Sequence, residues 1–397
     1  MSSELPAATL PAKVVFYNDP RVRSIVYQVA LCVAIALVVY GATTNAIDHL
    51  RRAHITSGFG FWDDPAGFDI SQTLISYSSA ASTYGRAFWV GLLNTLLVAG
   101  LGIVFATILG FTIGISRLSS NWLLSKFATG YVETIRNLPL LLQLLFWYNA
   151  VLKALPELRD SIVIFGGAYL NNRGLFLPQP QFLSGFDVVA VSALAGLIGA
   201  IVFYLWERKR QERTGQRGPV FSVMLALIMG LPFVVLALKG FPLKFDYPQA
   251  GRFNIAGGIE VLPEFAALLF GLSIYTAAFI AEVVRAGILA VSRGQIEAAY
   301  SLGLKPSPTL RLIVVPQAMR VIIPPLTSQY LNLTKNSTLA VAIGYPDLVQ
   351  VFTGTVLNQT GQAVEVVAIT MLVYLTISLV TSLAMNIYNR RVALVER

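Results

Sequence analysis

The feature that most constrains this chain is a series of long apolar runs, each about as long as a membrane is thick. A hydrocarbon core of about 30 Å needs roughly 20 apolar residues in a helix. Hydrophobic residues make up 55% of the 397 residues and charged residues only 12%, whereas about a quarter of the residues in a soluble domain are charged. The composition therefore predicts a membrane protein.

Eight such runs are predicted to be spanning helices, which makes the fold class all-α and polytopic. A segment in lipid must satisfy its own backbone hydrogen bonds, and these runs lack the alternating pattern of a closed barrel. The first run follows a polar tail, and it is interpreted as a retained helix because further spans follow it. The predicted spans are 25–44, 88–115, 134–154, 187–205, 220–239, 264–290, 321–344 and 364–388.

The loops between the spans differ in their content of Lys and Arg. Most of these residues lie in one alternate set of loops, and an excess of them marks the cytoplasmic side. Both termini are therefore predicted to be cytoplasmic. The predicted cytoplasmic set is 1–24, 116–133, 206–219, 291–320 and 389–397. On the opposite side, segments 45–87 and 171–186 are predicted to be irregular.

The sequence gives little support for a nucleic-acid-binding protein, a disulfide-rich or metal-binding protein, or a membrane enzyme. The net charge of +9 is spread over the loops without a basic stripe or interleaved aromatic residues, so no nucleic-acid partner is predicted. The single Cys32 allows no disulfide framework and no Cys-based metal site. We expect no metal or cofactor on this chain. A nucleophile, a metal cluster or a pair of carboxylates suited to a membrane enzyme is not visible.

One predicted cytoplasmic loop, 293–316, contains several residues that typically begin or end helices, more than are required to connect two spans. A first short helix is predicted to end at Gly303, because glycine suits the left-handed position that follows a helix. Ser307 is predicted to cap a second helix, with Pro308 in its first turn and Pro316 bending it near its end. The loop is interpreted as a rigid projection, and the alternative is an ordinary loop helix with a capping glycine.

The spacing within this loop resembles the "EAA" loop of ABC importer permeases. That pattern is EAA, three residues, Gly, nine residues and I-x-L-P, and here Val315 replaces the Leu. The resemblance implies that the loop docks on a separate ATPase subunit, which holds the ATP and Mg, and transmits its closure. The residues that carry the resemblance are Glu297, Ala298, Ala299, Gly303, Ile313 and Pro316.

Further stretches are similar to permeases for polar amino acids of the histidine, glutamine and arginine type. They read RNLPLLLQ from Arg136, YTAAFIAEVVRAGI from Tyr275, PQAMR from Pro316 and LTKNSTL from Leu333. This resemblance implies a non-enzymatic permease subunit of a binding-protein-dependent ABC transporter, in a bacterial inner membrane, that imports polar L-amino acids. Two residues depart from the family pattern. They are Asn336, where Asp is common, and Ala286, where Gly is common.

The resemblance also divides the chain. It covers about 88–153 and 263–388, whereas the residues between them add a two-span hairpin, as in the large permeases of general L-amino-acid importers. The resulting units are 1–87, a first part of the permease core at 88–154, an insert at 155–262 and a second part of the core at 263–397. The implied partners are an ATPase subunit, a periplasmic amino acid binding protein, membrane lipids and a second permease. The insert suggests that the second permease is a distinct homologue.

Polar side chains within the spans suggest a substrate path, because they are costly in lipid. A zwitterionic amino acid needs a cation for its carboxylate, from Lys335 or Arg285, and an acceptor for its ammonium group, from Glu282. The alternative is that Glu282 pairs with one of these cations as a structural contact, and the sequence leaves both open. The candidate set is Gln143, Tyr275, Glu282, Arg285, Asn332, Lys335 and Asn336.

An ion-coupled secondary amino acid transporter is the alternative function. Such a carrier would contain its own coupling site, often within inverted repeats. It would leave the strong helix signals of loop 293–316 unexplained.

Overall fold

The computed structural model describes residues 20–52, 58–165, 167–216, 218–251 and 254–392. Parts of the first and last predicted cytoplasmic segments therefore lie outside the described residues. The helices in chain order are α1 (Pro20–Arg52), α2 (Tyr84–Ser116), α3 (Trp122–Asn137), α4 (Leu140–Leu145), α5 (Phe186–Thr214), α6 (Val220–Leu225), α7 (Leu231–Leu238), α8 (Pro263–Leu289), α9 (Arg293–Ser301), α10 (Pro306–Thr309), α11 (Val315–Asn336), α12 (Leu357–Thr360) and α13 (Ala363–Val392).

Within the described residues, seven helical segments are long and apolar enough to cross a membrane. A shorter apolar helix, Leu140–Leu152, lies where the third span was predicted, so the polytopic all-α fold is confirmed. The seven long segments are Val22–Ala42, Tyr84–Ser116, Phe186–Thr214, Val220–Leu238, Pro263–Leu289, Pro306–Ile343 and Ala363–Arg390.

The third predicted span, 134–154, is not continuous, because the chain breaks between α3 and α4. Leu138 has extended backbone angles, φ −98° and ψ 132°, as expected for a residue that precedes a proline. The side-chain amide of Gln143 donates to the carbonyls of Ile135 and Leu138, both at 3.0 Å. These bonds satisfy backbone acceptors that the break at Pro139 would otherwise leave free.

Wider π-helical turns accompany two further prolines. The turn Leu310–Val314 precedes Pro316, and the turn Ala226–Gly230 precedes Pro232. Proline has no N–H with which to bond the carbonyl four residues earlier, and in both cases that carbonyl lies inside the π-helical turn. The helix therefore widens to a π-helical turn before each proline and continues beyond it without ending.

The centre of the molecule is the contact between α2 and α8. Gly110 and Gly114 lie where the two helices touch, and a methyl group at Gly114 would lie 2.8 Å from the carbonyl oxygen of Ala281. Small residues of this kind let helices approach closely in membranes. Leu268, Ile280 and other buried side chains of α8 complete the core together with residues of α2 and α11.

The insert was predicted as loops and a two-span hairpin, and in the structure its two loops are joined by short strands. They are β1 (Ile162–Ile164), β2 (Ala168–Asn171), β3 (Gly174–Leu177), β4 (Gln179–Phe182), β5 (Leu243–Asp246), β6 (Gln249–Ala250), β7 (Ile255–Ala256) and β8 (Ile259–Val261). An antiparallel sheet has the order β1-β2-β3-β8, with Leu175 opposite Val261. A second pair places Gln179 opposite Asp246. The prediction of irregular structure for 171–186 is therefore wrong.

Residues 58–83 of loop 45–87 are irregular, as predicted, apart from a 3-10 turn at Gly60–Asp63. The first residues of this loop extend α1 to Arg52, and residues 58–83 fold against the core. Phe61 is buried against Tyr84, Phe88 and Phe352, with ring centroids 6.2 Å apart for Phe61 and Phe352. These aromatic contacts hold the loop over the ends of α2 and the π-helical segment Val349–Val356.

Candidate functional site

Loop 293–316 forms a short helix, a tight turn and the beginning of a long helix, which we call the knob. At the end of α9, the N–H groups of Gly303 and Leu304 donate to the carbonyls of Tyr300 and Ala299 at 2.9 and 3.1 Å. Gly303 has φ +77°, a left-handed conformation that costs glycine little. The predicted end of the first short helix is confirmed.

The second half of the knob differs from the prediction in two ways. Its helix begins at Pro306, preceded by Lys305 rather than by a capping Ser307, because the first available proline takes the favoured first helical position. The helix also does not end near Pro316. It passes through the π-helical turn into α11, and the whole segment runs on as one span.

The knob is attached firmly to the core on its inner side. Val291, which precedes the knob, and Val314, which lies near its end, are buried in the same cluster as residues of α8 and α11, and Ile296 packs against that cluster. Ala299 is also buried, whereas Glu297 and Ala298 are exposed. The outer side presents exposed apolar side chains. They are Tyr300, Leu302, Leu310 and Leu312.

A polar cavity of about 350 Å³ lies between α8 and α11. Three predicted path residues, Tyr275, Asn332 and Asn336, line it together. The remaining lining residues are Thr276, Phe279 and Gln329. No carboxylate is among these lining residues, so the cavity offers hydroxyl and amide groups against one aromatic wall.

Two other predicted path residues lie elsewhere. Gln143 lines a separate, mainly apolar cavity of about 280 Å³ with Leu142 and Trp147, and its amide is used in the break before α4. The side chain of Lys335 is exposed and is not among the residues that line the polar cavity. The structure therefore places Gln143 in a different cavity from Tyr275 and Asn332, and it places Lys335 on α11 outside the lining of the polar cavity.

Glu282 and Arg285 form part of a charged cluster rather than of the cavity wall. The Glu282 carboxylate accepts hydrogen bonds from Arg117, the residue that follows α2, and, at 2.6 Å, from Arg285. Arg136 lies 3.8 Å from the same carboxylate. Both carboxylate oxygens thus have a cationic partner, which favours the structural interpretation of Glu282 over ammonium binding.

Arg117 and Arg136 were not predicted to belong to the site. Arg117 looked like a topology residue at the end of a span, and no local pattern could show that it meets Glu282 from another helix. Arg136 did stand at the start of a family-like stretch. Its guanidinium lies 5.1 Å from the ring centroid of Phe279, a cation–π distance, so it borders the polar cavity.

Comparisons with known proteins identify the family to which the chain belongs. Residues 214–394 match the family model of the binding-protein-dependent transport system inner membrane component. The chain is 54% identical over 379 residues to the general L-amino acid transport system permease protein AapQ of Rhizobium johnstonii, covering 96% of this chain and 94% of the relative. The chain belongs to the amino-acid ABC transporter permeases.

Two further comparisons concern other members of this permease family. The glutamate/glutamine/aspartate/asparagine transport system permease protein BztB of Rhodobacter capsulatus is 42% identical over 428 residues, covering 100% of both chains. A crystal structure of an amino acid ABC transporter with histidines has a TM-score of 0.46 and 22% identity, covering 78% of this chain and 95% of that chain.

As an amino-acid ABC transporter permease, the chain is a multi-pass inner-membrane protein and the pore-forming part of a transport system with other subunits. The alternative of an ion-coupled secondary transporter is no longer needed. The knob and the polar cavity are connected through the chain, because the knob joins α8 to α11 and the cavity lies between these two helices.

Proposed function

We propose that this permease imports polar L-amino acids with energy from ATP hydrolysis on a separate ATPase subunit that docks on the knob. One observation supports this most strongly: the knob joins the same two helices, α8 and α11, that line the polar cavity. A force applied to the knob would therefore change the distance between the cavity walls.

The surface of the knob suits such docking. Tyr300 is 50% exposed and Leu302 is 82% exposed, and both precede the span that begins at Pro306. Exposed apolar side chains outside the membrane are suited to a protein partner. Glu297 and Ala298 lie on the exposed surface beside them. We infer that the motif residues Glu297, Ala298, Ala299, Gly303, Ile313 and Pro316 shape this surface, and that the ATP and Mg are bound by the partner.

The polar cavity is proposed as part of the substrate path. Tyr275, Asn332, Asn336 and Gln329 provide donors and acceptors, while the absence of a carboxylate from the lining avoids repulsion of acidic amino acids. Arg136 at the border of the cavity supplies a cation for the substrate carboxylate. Arg285 and Glu282 position this border through the charged cluster, and Lys335 lies beside the path on α11.

The exposed polar face of α11 supports a second permease as a partner. Ser328, Asn332 and Lys335 are all exposed in the single chain although they lie in a span. Polar groups are costly against lipid, so a second permease, a distinct homologue, would cover them. A periplasmic amino acid binding protein would deliver the substrate on the side opposite the knob, and both termini would be cytoplasmic.

The test is amino acid uptake into proteoliposomes that contain the chain with its partner subunits. We expect uptake only with ATP, and a severalfold loss in Asn332→Leu, because the cavity loses a hydrogen-bonding side chain. Asn149→Leu is the matched control, because Asn149 is exposed and lies outside the polar cavity. Uptake driven by an ion gradient without ATP would contradict the proposal.

A further inference from the structure

A second cavity, of about 400 Å³, lies between the insert sheet and the core. Ile164, Leu170 and Leu175 of the sheet face Leu152, Phe265 and Leu269 of the helices across it. Its volume is within the range of about 300–1,000 Å³ typical of small-molecule sites. It is separate from the substrate path, because it shares no lining residue with the polar cavity.

The walls of this second cavity are apolar apart from Asn171. The Asn171 side chain is already satisfied, because its amide donates to Ser161 at 3.0 Å and its Oδ1 accepts the N–H of Arg173 at 2.8 Å. A zwitterionic amino acid would lose its hydration here without gaining a partner. Apolar cavities also do not retain water, so the chemistry selects an apolar ligand.

The position of the cavity identifies the source of that ligand. Leu152 ends the apolar helix Leu140–Leu152, and Phe265 and Leu269 lie in the first two turns of α8, within about 10 Å of its start at 1.5 Å per residue. Strand β8 leads directly into α8. The cavity is therefore level with one edge of the hydrocarbon layer, on the side opposite the knob.

Aromatic side chains at the margin agree with this depth. Phe270 lines the cavity and is 50% exposed, and its ring centroid lies 6.3 Å from that of Trp147. Aromatic residues concentrate where the hydrocarbon meets the headgroups. A helix about 10 Å across would fill this volume with about a single turn, whereas a flexible acyl chain can enter such a space lengthwise.

We propose that this cavity binds an acyl chain of a phospholipid from the leaflet opposite the knob. The bound chain fills the space between the sheet and α8, and so stabilises the attachment of the insert to the core. The proposal does not depend on the direction of transport or on the identity of the amino acid.

The test uses the full-length chain in nanodiscs of phosphatidylethanolamine and phosphatidylglycerol, with a phosphatidylethanolamine that carries a photoreactive diazirine in its acyl chain. After irradiation, mass spectrometry locates the labelled residues. We expect label on Leu152, Phe265 or Leu269, and a reduction of about tenfold in Ala266→Phe, equivalent to about 1.4 kcal/mol in binding free energy. Ala266 lines the cavity, so the added ring occupies the space.

Ala193→Phe is the matched control, because Ala193 is exposed on α5 and outside the cavity. It should leave the label unchanged. If Ala266→Phe does not fold, as judged by size-exclusion chromatography, Val151→Phe narrows the same cavity from the other wall. Equal labelling of cavity residues in the wild type and a folded cavity variant would overturn the proposal. So would the absence of label from cavity residues in the wild type, which would indicate that a protein segment fills the space.

Discussion

Helix α8 of the permease core and the two spans of the insert hairpin are all apolar enough to cross a membrane, but they differ in how much of each is buried inside the chain. In the most apolar 18-residue stretch of α8, 61% of the residues are buried inside the chain, against 17% in α5 and none in Val220–Leu238. The hairpin helices pack on each other, with Ala200 buried between them. The comparison shows that hydropathy locates the spans but does not tell which of them are buried against other helices of the same chain.

The largest effect is expected from a substitution that disrupts the contact between α2 and α8 in the core. Gly114→Leu would push a side chain into the backbone of α8 at Ala281. We expect loss of the folded chain and of uptake, because overpacking costs about 1–3 kcal/mol even where neighbours can move, and a carbonyl on a buried helix cannot. The measurements are size-exclusion chromatography and proteoliposome uptake.

Gly199→Leu in α5 is the control for that experiment. A methyl group there would lie 3.9 Å from the nearest atoms of Leu227, an ordinary contact distance, so folding and uptake should persist. Equal damage from both substitutions would show that the core and the hairpin tolerate packing changes alike.

The next largest effect is expected in the charged cluster of the core. Glu282→Gln removes the charge that pairs with Arg117, whose side chain is 11% exposed, and with Arg285. Breaking a buried pair costs about 3–5 kcal/mol, and we expect less than that here because the Glu282 side chain is 27% exposed. The thermal unfolding midpoint should fall clearly.

Arg136→Ala tests the weak partner in the same cluster. Arg136 is 41% exposed and lies 3.8 Å from Glu282, so its loss should cost less than about 1 kcal/mol of stability. It should nevertheless slow uptake if it supplies the cation at the cavity border. A larger loss of stability in Arg136→Ala than in Glu282→Gln would contradict this ranking.

A third prediction concerns pH. Asp347 lies between the last two spans, is fully buried, and accepts the N–H of Gln350 at 2.8 Å and the hydroxyl of Tyr374 at 3.3 Å. Burial raises the pKa of Asp347 from 3.8 to about 7. The unfolded chain therefore loses this proton at lower pH than the folded chain, so the free energy of unfolding should fall as pH rises from about 4 to about 7.

Asp347→Asn keeps the neutral form at every pH and should remove that part of the pH dependence. The measurement is the unfolding midpoint of the purified chain over this pH range. Identical slopes for the wild type and Asp347→Asn would show that the folded chain does not hold the proton.

The smallest effect on transport is expected in the insert. Glu207 is buried in the hairpin, accepts the N–H of Gly218 at 2.6 Å and lies 3.5 Å from Arg210. Glu207→Ala should cost about 1–3 kcal/mol locally and speed hydrogen exchange at the start of α6. Uptake should be unchanged, and a loss of uptake with the core intact would assign the hairpin a direct role in transport.

The parts of the fold that depend on local signals could be predicted from the sequence. The apolar runs located the spans. Gly303 predicted the end of α9, because one glycine is enough to indicate the left-handed position that follows a helix. The insert strands could not be predicted in this way, since β3 and β8 are short and pair across a long stretch of chain. Their register depends on where the two loops meet.

The same distinction applies to the candidate site. The polar pattern of α11 selected Asn332 and Asn336 as path residues, and in the structure both line the cavity with Tyr275. The role of Glu282 depended on Arg117, which approaches from the end of α2, so no pattern within α8 could decide it. Gln143 was predicted to be a path residue because a polar side chain in a span suggests function. In the structure its side-chain amide instead donates to backbone carbonyls at the break before Pro139.

The most direct measurement is ATP-dependent amino acid uptake by Gly303→Pro and Glu297→Lys in proteoliposomes with the partner subunits. Proline cannot adopt φ +77°, and Glu297 is exposed on the knob, so both changes alter the knob without entering the spans. We predict that uptake falls to the level seen without ATP while the chain still inserts in the membrane. Normal ATP-dependent uptake by both variants would contradict the role of the knob.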